Sequence, residues 1–568
     1  MRRGKILRLN ILGINFSNFH ESSVCLVQDG KLVFACAEER LSRLKQDKRF
    51  PRLAIKATLD FAGLQPGDIE HVAFTFPPPW EFYSHNLKLM LAGPWELSPT
   101  RLQRWLLGLL RSQRHRGGSL DYERAFGRPR GGFHLINHHL CHALSSYCLS
   151  GFDEASVLVV DGRGSHEATT LWRAREDEIS LLETVEYPNS LGVFYAGITE
   201  MLGFEPFSDE WKVMGLAAYG QPKVDLNALI RCDNDHYTVE ARRFFGENDS
   251  DRSGLEGIVG KRRSDGEELS DTHKNIARSA QDACEKALLA SLTRLTGLTG
   301  SRNLCLAGGV ALNCKANGEL LRSGLIDEIY VQPAAGDDGT CIGAALAVYQ
   351  RLGMATPRKP VGHSYLGHEF SNESIEQVLK TYKLSYRRLS NAPGTAAGLL
   401  AQNHLVGWFQ GRMEFGPRAL GNRSILADPR QAENRDRVNE AVKFREGWRP
   451  FAPSVLAEKA HLYFQDFKSS PYMILSFWGD KQRAREIPAV VHVDGSCRVQ
   501  SVERETNPRY YELIQEFEKL TGVPVVMNTS FNLKGDPIVC SPRDAVQTFY
   551  TSGLDDLVMG DFLVSKVR

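Results

Sequence analysis

The stretch Asn137-His138-His139-Leu140-Cys141-His142 follows an apolar run, Phe133 to Ile136, that reads as a strand, and it continues into Ala, Leu, Ser and Tyr residues that suit a helix. On that helix His138 and His142 lie one turn apart on one face, a spacing at which two imidazoles can grip one divalent ion. A stable site for a first-row ion needs further ligands from elsewhere in the chain. Two aspartates offer themselves: Asp161 in Val159-Val160-Asp161-Gly162-Arg163-Gly164 and Asp337 in Gly336-Asp337-Asp338-Gly339, each after a strand-like run. Without them the histidine pair reads equally as two satisfied polar groups. No glutamate follows His138, so the zinc-protease pattern is excluded.

A second constellation is basic. Arg418 lies in Gly416-Pro417-Arg418-Ala419-Leu420-Gly421-Asn422-Arg423, Lys443 and Arg449 in Lys443-Phe444-Arg445-Glu446-Gly447-Trp448-Arg449-Pro450, and Arg498 in Ser496-Cys497-Arg498. Asn528-Thr529-Ser530-Phe531-Asn532 adds a turn rich in amide and hydroxyl groups. Guanidinium forks beside such a turn suit a small, highly charged oxyanion such as a phosphoryl ligand. Surface salt bridges are the plainer reading, but arginines wedged between Gly, Pro and aromatic residues favour a site. A third candidate is His20, in a polar loop between two strands, where a neutral imidazole could accept a proton from an attacking hydroxyl or simply cap the loop.

The elements that must position these residues begin with short β-rich runs split at Asp29-Gly30, a hairpin signal, so the chain opens with antiparallel strands. Glu38-Glu39-Arg40 and the basic residues up to Lys56 read as a solvated helix face, and Leu53 to Ala62 as an amphipathic helix. Residues 77–130 hold a Pro-rich run and a basic amphipathic helix over 101–116 that reads as an insertion or lid. Beyond Asn137, strand and helix patterns alternate with glycine turns. Gly162 and Gly164 sit in a tight turn of a kind that presents backbone N–H groups to phosphates, with an ordinary hairpin as the alternative. Lys212 and Gly215 lie in a small-residue stretch a nucleotide could approach, and 221–275 reads as an irregular insertion near the site. His273 to Thr296 is a long amphipathic helix. Two units of strand, glycine loop and helix follow, one through Gly308, Gly309 and Asn313, the other through Asp337, each aiming a helix N-terminus at its loop. Neither loop fits the P-loop or Rossmann pattern.

A chain of 568 residues exceeds one hydrophobic core, and a linker near Pro357 to Gly362 divides it. Lys plus Arg (69) nearly cancels Asp plus Glu (68), which gives no global pull toward nucleic acid or membrane. The eleven cysteines form no CxxC pair, so reduced thiols and a cytoplasmic protein without disulfides are expected. No uninterrupted apolar run is long enough for a membrane span.

With these residues in view the chain resembles the carbamoyltransferases that modify antibiotics and nodulation factors. The N-terminal part, about 1–355, is similar to the actin-like (ASKHA) domain of tRNA threonylcarbamoyl transferases, through His138-x-x-x-His142, Asp161-Gly162, 212–220, Gly308-Gly309 and Asp337. After a linker over 356–369, the part over 370–568 resembles a YrdC-like α/β domain, through Gly416 to Gly421, Trp448 to Pro453 and Asn528 to Asn532. The resemblance implies an α/β protein whose N-terminal domain has duplicated mixed-sheet halves, and a two-step reaction. Carbamoyl phosphate, held by Arg418, Lys443, Arg449, Arg498, Asn528 and Ser530, gives carbamoyl adenylate with ATP. The carbamoyl group then passes to a hydroxyl of a small molecule or glycan. The resemblance also implies nucleotide contacts at Gly162, Gly164, Lys212, Gly215, Gly308, Gly309 and Asn313, and a metal on His138, His142, Asp161 and Asp337. That metal is usually iron(II), with manganese and magnesium as alternatives, and His20 is the implied base. Residues 77–130 and 221–275 are where acceptor recognition is expected. A tRNA acceptor is disfavoured by the near-zero charge. A non-catalytic nucleotide-binding scaffold docking through 101–116 is a third reading, and a homodimer is compatible with each.

Overall fold

The computed structural model describes residues 8–17, 20–75, 84–85, 87–88, 118–240, 244, 253–355 and 361–566. Its N-terminal unit repeats one plan twice. The strands β1 (Asn10–Asn15), β2 (Ser23–Gln28), β3 (Lys31–Ala37), β4 (His71–Phe74) and β5 (Phe133–Leu135) form a sheet in the order β3-β2-β1-β4-β5. The first three form an antiparallel meander, while β4 and β5 run parallel to β1. Next come β6 (Glu154–Val160), β7 (Glu167–Arg175) and β8 (Glu178–Glu186), a small hairpin of β9 (Ile230–Cys232) and β10 (Tyr237–Val239), then β11 (Asn303–Ala307) and β12 (Glu328–Val331). The second sheet, β8-β7-β6-β11-β12, has the same order and the same mixture of directions. This is the duplicated, actin-like α/β plan.

Helices fill the crossovers: α1 (Glu38–Ser42), α2 (Arg52–Ala62) and α3 (Ser119–Phe126) in the first half, closed by α4 (His138–Ser150) after β5. In the second half α5 (Leu191–Met201), α6 (Glu210–Leu216), α7 (Ser253–Val259), α8 (Asp271–Thr299) and α9 (Cys314–Arg322) lead to α10 (Thr340–Arg351) after β12. The two closing helices, α4 and α10, pack directly on each other. Small residues permit it: a Cβ on Gly343 would lie 1.8 Å from the Cys141 carbonyl oxygen, and one on Gly13 would lie 2.0 Å from that of Cys341. The repeat therefore brings the start of α4 against the turn before α10, across the local pseudo-twofold.

Local chemistry explains these elements. Asp29 (φ 48°) and Gly30 (φ 79°) occupy the two left-handed positions of the hairpin turn between β2 and β3. The apolar side of α2 buries Ile55 and Leu59, each worth about 2 kcal/mol. The charges before it are not a solvated face, a correction to the sequence reading. Glu38 is 3% exposed and its carboxylate accepts the Leu53 (3.1 Å) and Ala54 (2.7 Å) N–H groups at the start of α2, where an anion is favoured by the helix dipole. Arg40 is buried too and donates to the Gly416 carbonyl in the C-terminal unit.

The described residues within 221–275 also differ from expectation. They are not an irregular insertion, because β9 and β10 pair there and Leu229, Ile230, Tyr237 and Val239 join the core beneath α8. Nor is 361–369 a free linker: Ser364 and Leu366 are buried, and the Leu366 carbonyl accepts the Ala35 N–H of β3. Residues 356–360, the Pro77 to Trp80 run and the expected 101–116 helix lie outside the described residues.

The C-terminal unit is α/β. Its sheet holds β13 (Arg387–Arg388), β14 (Val406–Phe409), β15 (Arg423–Ala427), β16 (Ala452–Leu456), β19 (Gln500–Val502), β20 (Val525–Ser530), β21 (Asp556–Met559) and β22 (Phe562–Ser565), with β17 (Ser476–Trp478) and β18 (Ser496–Arg498) paired apart. The order is β13-β22-β21-β14-β15-β20-β16-β19, so β20 is an interior strand between β15 and β16. Helices α11 (Asn372–Thr381), α12 (Ala392–Ala401), α13 (Glu433–Val438), α14 (Ala460–Tyr463), α15 (Pro508–Thr521) and α16 (Pro542–Tyr550) complete it. One apolar core runs unbroken from the second half of the N-terminal unit into this unit. Among the described residues no helix is long and apolar enough to cross a membrane.

Candidate active site

The helix α4 begins at His138 because Asn137 caps it, its side chain accepting the Leu140 N–H at 2.9 Å. The Asn137 amide also donates to Glu167 at 2.6 Å, which ties the cap to the start of β7. His138 and His142 then point the same way, with their Nε2 atoms 3.2 Å apart. Asp161 arrives from the end of β6 and Asp337 from the turn after β12. His138 Nε2 lies 3.3 Å from Asp161 and 3.5 Å from Asp337, and His142 Nε2 lies 3.9 and 3.8 Å from the same oxygens. His139 turns away, its ring bonded to Thr170 at 2.8 Å.

These four ligand atoms all lie within 4.8 Å of one another. Opposite ligands of a first-row ion stand about 4.2 Å apart, so a small closure would let all four share one ion. Two imidazole nitrogens facing each other between two carboxylates are a donor set suited to a divalent cation. The electrostatics agree: burial pushes the His138 imidazole down, but the Asp337 and Asp161 carboxylates outweigh burial and hold it up at about 10. Despite burial, His138 and its neighbours hold both carboxylates well below the usual range. A metal ion would take the place of that trapped proton. The outer contacts are set as well, since the second Asp161 oxygen accepts the Gly309 N–H at 3.0 Å.

His20 is not among these ligands. It stands at the rim, edge-on to Phe207 with ring centres 6.4 Å apart, and close enough to Asp337 for its charge to help hold that carboxylate low.

Of the proposed nucleotide residues, Gly162, Gly308 and Gly309 lie at the end of β6 beside Asp161, while Lys212, Gly215 and Asn313 are placed by other contacts, with several of their polar groups already engaged. The Gly164 N–H donates to the Glu167 carbonyl, and the Ser165 and His166 N–H groups donate to the Glu167 carboxylate, so this hairpin does not point a row of free N–H groups outward. Gly308, at φ 94°, must be glycine, because a Cβ there would lie 2.2 Å from the Val160 carbonyl. Asn313 caps α9 and pairs with Gln281. Lys212 is bonded to Asp209 at 2.6 Å. A Cβ on Gly215 would sit 3.4 Å from the Trp448 ring of the C-terminal unit.

That ring opens onto the second constellation. Arg418, Lys443, Arg445, Arg449 and Arg498 converge, close enough to depress one another. Burial and then Arg498 pull Arg418 down to about 9, and burial, Arg449 and Arg498 do the same to Arg445. Burial, Arg445 and Arg449 bring Lys443 well below its ordinary value. The buried Nε atoms of Arg418, Arg449 and Arg498 have no hydrogen-bond partner among the described residues. Arg449 packs over Trp211 at 4.2 Å and pairs with Glu446 at 2.6 Å. Lys443 ends a π-helical turn, Asn439–Lys443, and its ammonium donates to the Ser530 carbonyl (2.5 Å) and the Asn532 side chain (2.7 Å). Basic groups gathered in so small a volume have the charge complement of an oxyanion.

The sequence did not separate residues that touch this volume from those that hold it up. Asn528 is fully buried in β20, its amide donating to the Ala419 carbonyl, Ser454 and Gln500, and so pins the loop that carries Arg418. Arg423, five residues beyond Arg418, is wholly buried on carbonyl groups and on the Phe409 ring. Arg445, Asn532 and Trp211 were missed as site residues. Arg445 stood in the same run as Lys443 and Arg449, and Asn532 two positions after Ser530; Trp211 gave no signal, because only the fold brings it to Arg449.

The two constellations share one wall. From Gly309, which holds Asp161, a single turn leads to Cys314, whose buried thiol lies beside Arg418 and Arg498. A 3₁₀ turn of that length spans roughly 10 Å. The wall is braced across the units: Tyr219 donates to the Trp448 carbonyl at 3.1 Å, Asn317 to the Ile474 carbonyl at 2.9 Å, and Lys315 pairs with Asp494.

A duplicated actin-like unit with a four-ligand centre, fused to a unit with a buried cationic cluster, defines a two-site protein. The model described as "Carbamoyltransferase N-terminus" matches residues 10–82 and 120–346, and "Carbamoyltransferase C-terminus" matches 397–566. The chain belongs to the carbamoyltransferase family and is a carbamoyltransferase enzyme. It is 38% identical to nodulation protein NolNO of Sinorhizobium fredii, over 98% of this chain and 80% of that one. It is 41% identical to nodulation protein NolO of Bradyrhizobium diazoefficiens (76% and 79%) and 29% identical to nodulation protein U of S. fredii (93% and 94%).

Proposed function

We propose that the chain is an ATP-dependent O-carbamoyltransferase that divides its reaction between the two constellations. The observation that carries this reading is the gathering of Arg418, Lys443, Arg445, Arg449 and Arg498, a group of five basic side chains beside the two carboxylates of Glu446 and Asp209. Such a cluster matches the charge of carbamoyl phosphate and the triphosphate of ATP. Arg418, Arg449 and Arg498 grip the phosphoryl oxygens, Lys443 and Ser530 orient the carbamoyl end, and Asn528 fixes the loop behind them. Water releases orthophosphate from carbamoyl phosphate, a carbamate oxygen attacks the α-phosphorus of ATP, and pyrophosphate leaves. Carbamoyl adenylate is the product.

Transfer follows in the N-terminal unit, along the glycine-lined wall of Gly162, Gly164, Lys212, Gly215, Gly308, Gly309 and Asn313. The short internal route past Cys314 keeps the labile adduct from water. His20 takes the proton from the acceptor hydroxyl as its oxygen bonds to the carbamoyl carbon, and AMP departs. His138, His142, Asp161 and Asp337 would hold a divalent ion, iron(II) by the family resemblance, which when bound supplies Lewis-acid stabilisation and orientation for the nucleotide phosphate. The acceptor is a hydroxyl of a natural product or glycan. Incubation with carbamoyl phosphate, ATP and a divalent metal should release pyrophosphate in proportion to carbamoyl phosphate consumed. ATP turnover indifferent to carbamoyl phosphate would overturn the assignment.

A further inference from the structure

The loop that carries Arg449 belongs to the C-terminal unit, but much of what holds it comes from the N-terminal one. The Trp448 ring lies 6.4 Å from the Phe204 ring, centre to centre, and the Trp448 carbonyl accepts the Tyr219 hydroxyl at 3.1 Å. Gly215 leaves room beside the same ring, since a Cβ there would already stand 3.4 Å from it. Trp211 lies one turn earlier on α6, and the Arg449 guanidinium sits over its ring at 4.2 Å from the centre. The indole is itself fixed, its N–H donating to the Ser208 carbonyl at 3.1 Å.

The way Arg449 is held matters for what it can do. Its side chain is 8% exposed; one Nη pairs with Glu446 at 2.6 Å, while its buried Nε has no hydrogen-bond partner among the described residues. A long side chain directs its planar fork at a ligand only if something fixes the plane. A second carboxylate would do so by occupying the N–H groups that an oxyanion needs. An aromatic face holds the guanidinium through its π-surface and leaves the in-plane donors free. Trp211 is a neutral support of that kind, and it reaches the cluster from the other unit.

We infer that Trp211 is a positioning residue for the oxyanion site: its indole face sets the plane of the Arg449 guanidinium, so the N-terminal unit completes the carbamoyl phosphate site of the C-terminal unit. The inference rests on the phosphoryl-gripping role proposed above for Arg449. Trp211 acts through Arg449 and not on the substrate. Adenylate formation in the C-terminal unit therefore depends on a side chain of α6, the helix that also carries Lys212. One desolvated cation–π contact changes an equilibrium by roughly five- to thirtyfold, which sets the size of the effect.

The test is ATP–pyrophosphate exchange driven by carbamoyl phosphate, run on the full chain with manganese. Trp211→Leu and Trp211→Met have apolar side chains without a π-face, and Met adapts to irregular space where Leu does not. Each should raise KM for carbamoyl phosphate roughly five- to thirtyfold while changing kcat of exchange less than about threefold. Trp211→Phe keeps a ring face and should stay within about threefold of the parent KM. In an Arg449→Lys background no guanidinium plane is left to fix, so adding Trp211→Leu should change KM by less than about twofold. A merely structural role for Trp211 would raise KM there as well. Parental KM in both apolar variants, an equal rise in Trp211→Phe, or the full rise in the Arg449→Lys background would overturn the inference. Absence of exchange in the parent protein would instead remove the reading beneath it.

Discussion

Gly343→Ala should perturb the proposed metal centre without touching any of its four candidate ligands. Gly343 lies where α10 crosses α4, and the added Cβ would stand 1.8 Å from the Cys141 carbonyl, whereas ordinary contact begins at 3.4 Å. The obstacle is helix backbone, so no side chain can swing aside, and α4 must move more than an ångström. His138 and His142 ride on α4, while Asp337 is fixed to the turn before α10. Metal coordination tolerates only about 0.2 Å of misplacement. The variant should therefore lose about 10–100-fold in divalent-metal affinity, the range seen when a ligand's support is removed. Overpacking should also cost about 1–3 kcal/mol of stability. Calorimetric titration with manganese gives the first quantity and denaturant unfolding the second. Gly257→Ala on the exposed face of α7, where a Cβ meets nothing within 4 Å, is the control and should gain about 0.5 kcal/mol with metal affinity unchanged. Parental metal affinity in Gly343→Ala would refute the claim that the packing of α4 on α10 sets the centre.

Three further outcomes are expected. Arg498→Met should abolish use of carbamoyl phosphate yet raise the stability of the ligand-free protein by about 1 kcal/mol, because it relieves mutual repulsion with Arg418 and Arg445; thermal unfolding beside pyrophosphate release checks both. In the ligand-free protein Arg418 and Arg445, lowered to about 9, carry a charge cost that is complete below pH 9 and fades as pH rises through 9 toward 12.5. Inorganic phosphate offsets that cost, so its stabilising effect should be larger at pH 7 than at pH 9.5, and equal shifts in thermal midpoint at both would contradict the anion-binding role. Asp161→Asn keeps an acceptor for the Gly309 N–H but loses the charge. The stabilisation of the parent by manganese, about 2.7 kcal/mol at one hundred times the dissociation constant, should then disappear.

Local spacing and motif made the four candidate ligands, and most of the basic cluster, legible one by one. His138 and His142 announced themselves by helical period, and Asp161 and Asp337 by following apolar strands; the fold brings all four within 4.8 Å. The reason for their convergence, two sheets of one strand order meeting at α4 and α10, is long-range pairing that no window of sequence carries. The same limit misled the reading of Glu38, whose charge looked solvated because its partners, the N–H groups of α2, lie 15 and 16 residues away. Arg418 and Arg423 share one motif, yet one lies in the loop before β15 and faces the cationic cluster, while the other opens β15 and anchors a core. Hydrophobic content misled too, since Leu229, Ile230, Tyr237 and Val239 sit in a polar stretch whose hairpin forms only against α8.

The division of labour between the sites is tested most directly by ATP–pyrophosphate exchange with carbamoyl phosphate, run beside carbamoyl transfer, in Lys443→Ala and His20→Asn. Lys443→Ala should lose exchange and transfer together, whereas His20→Asn should keep exchange and lose transfer by about 10²–10⁴-fold, the usual worth of a general base. Loss of exchange in His20→Asn, or retained exchange in Lys443→Ala, would contradict two sites with two chemistries.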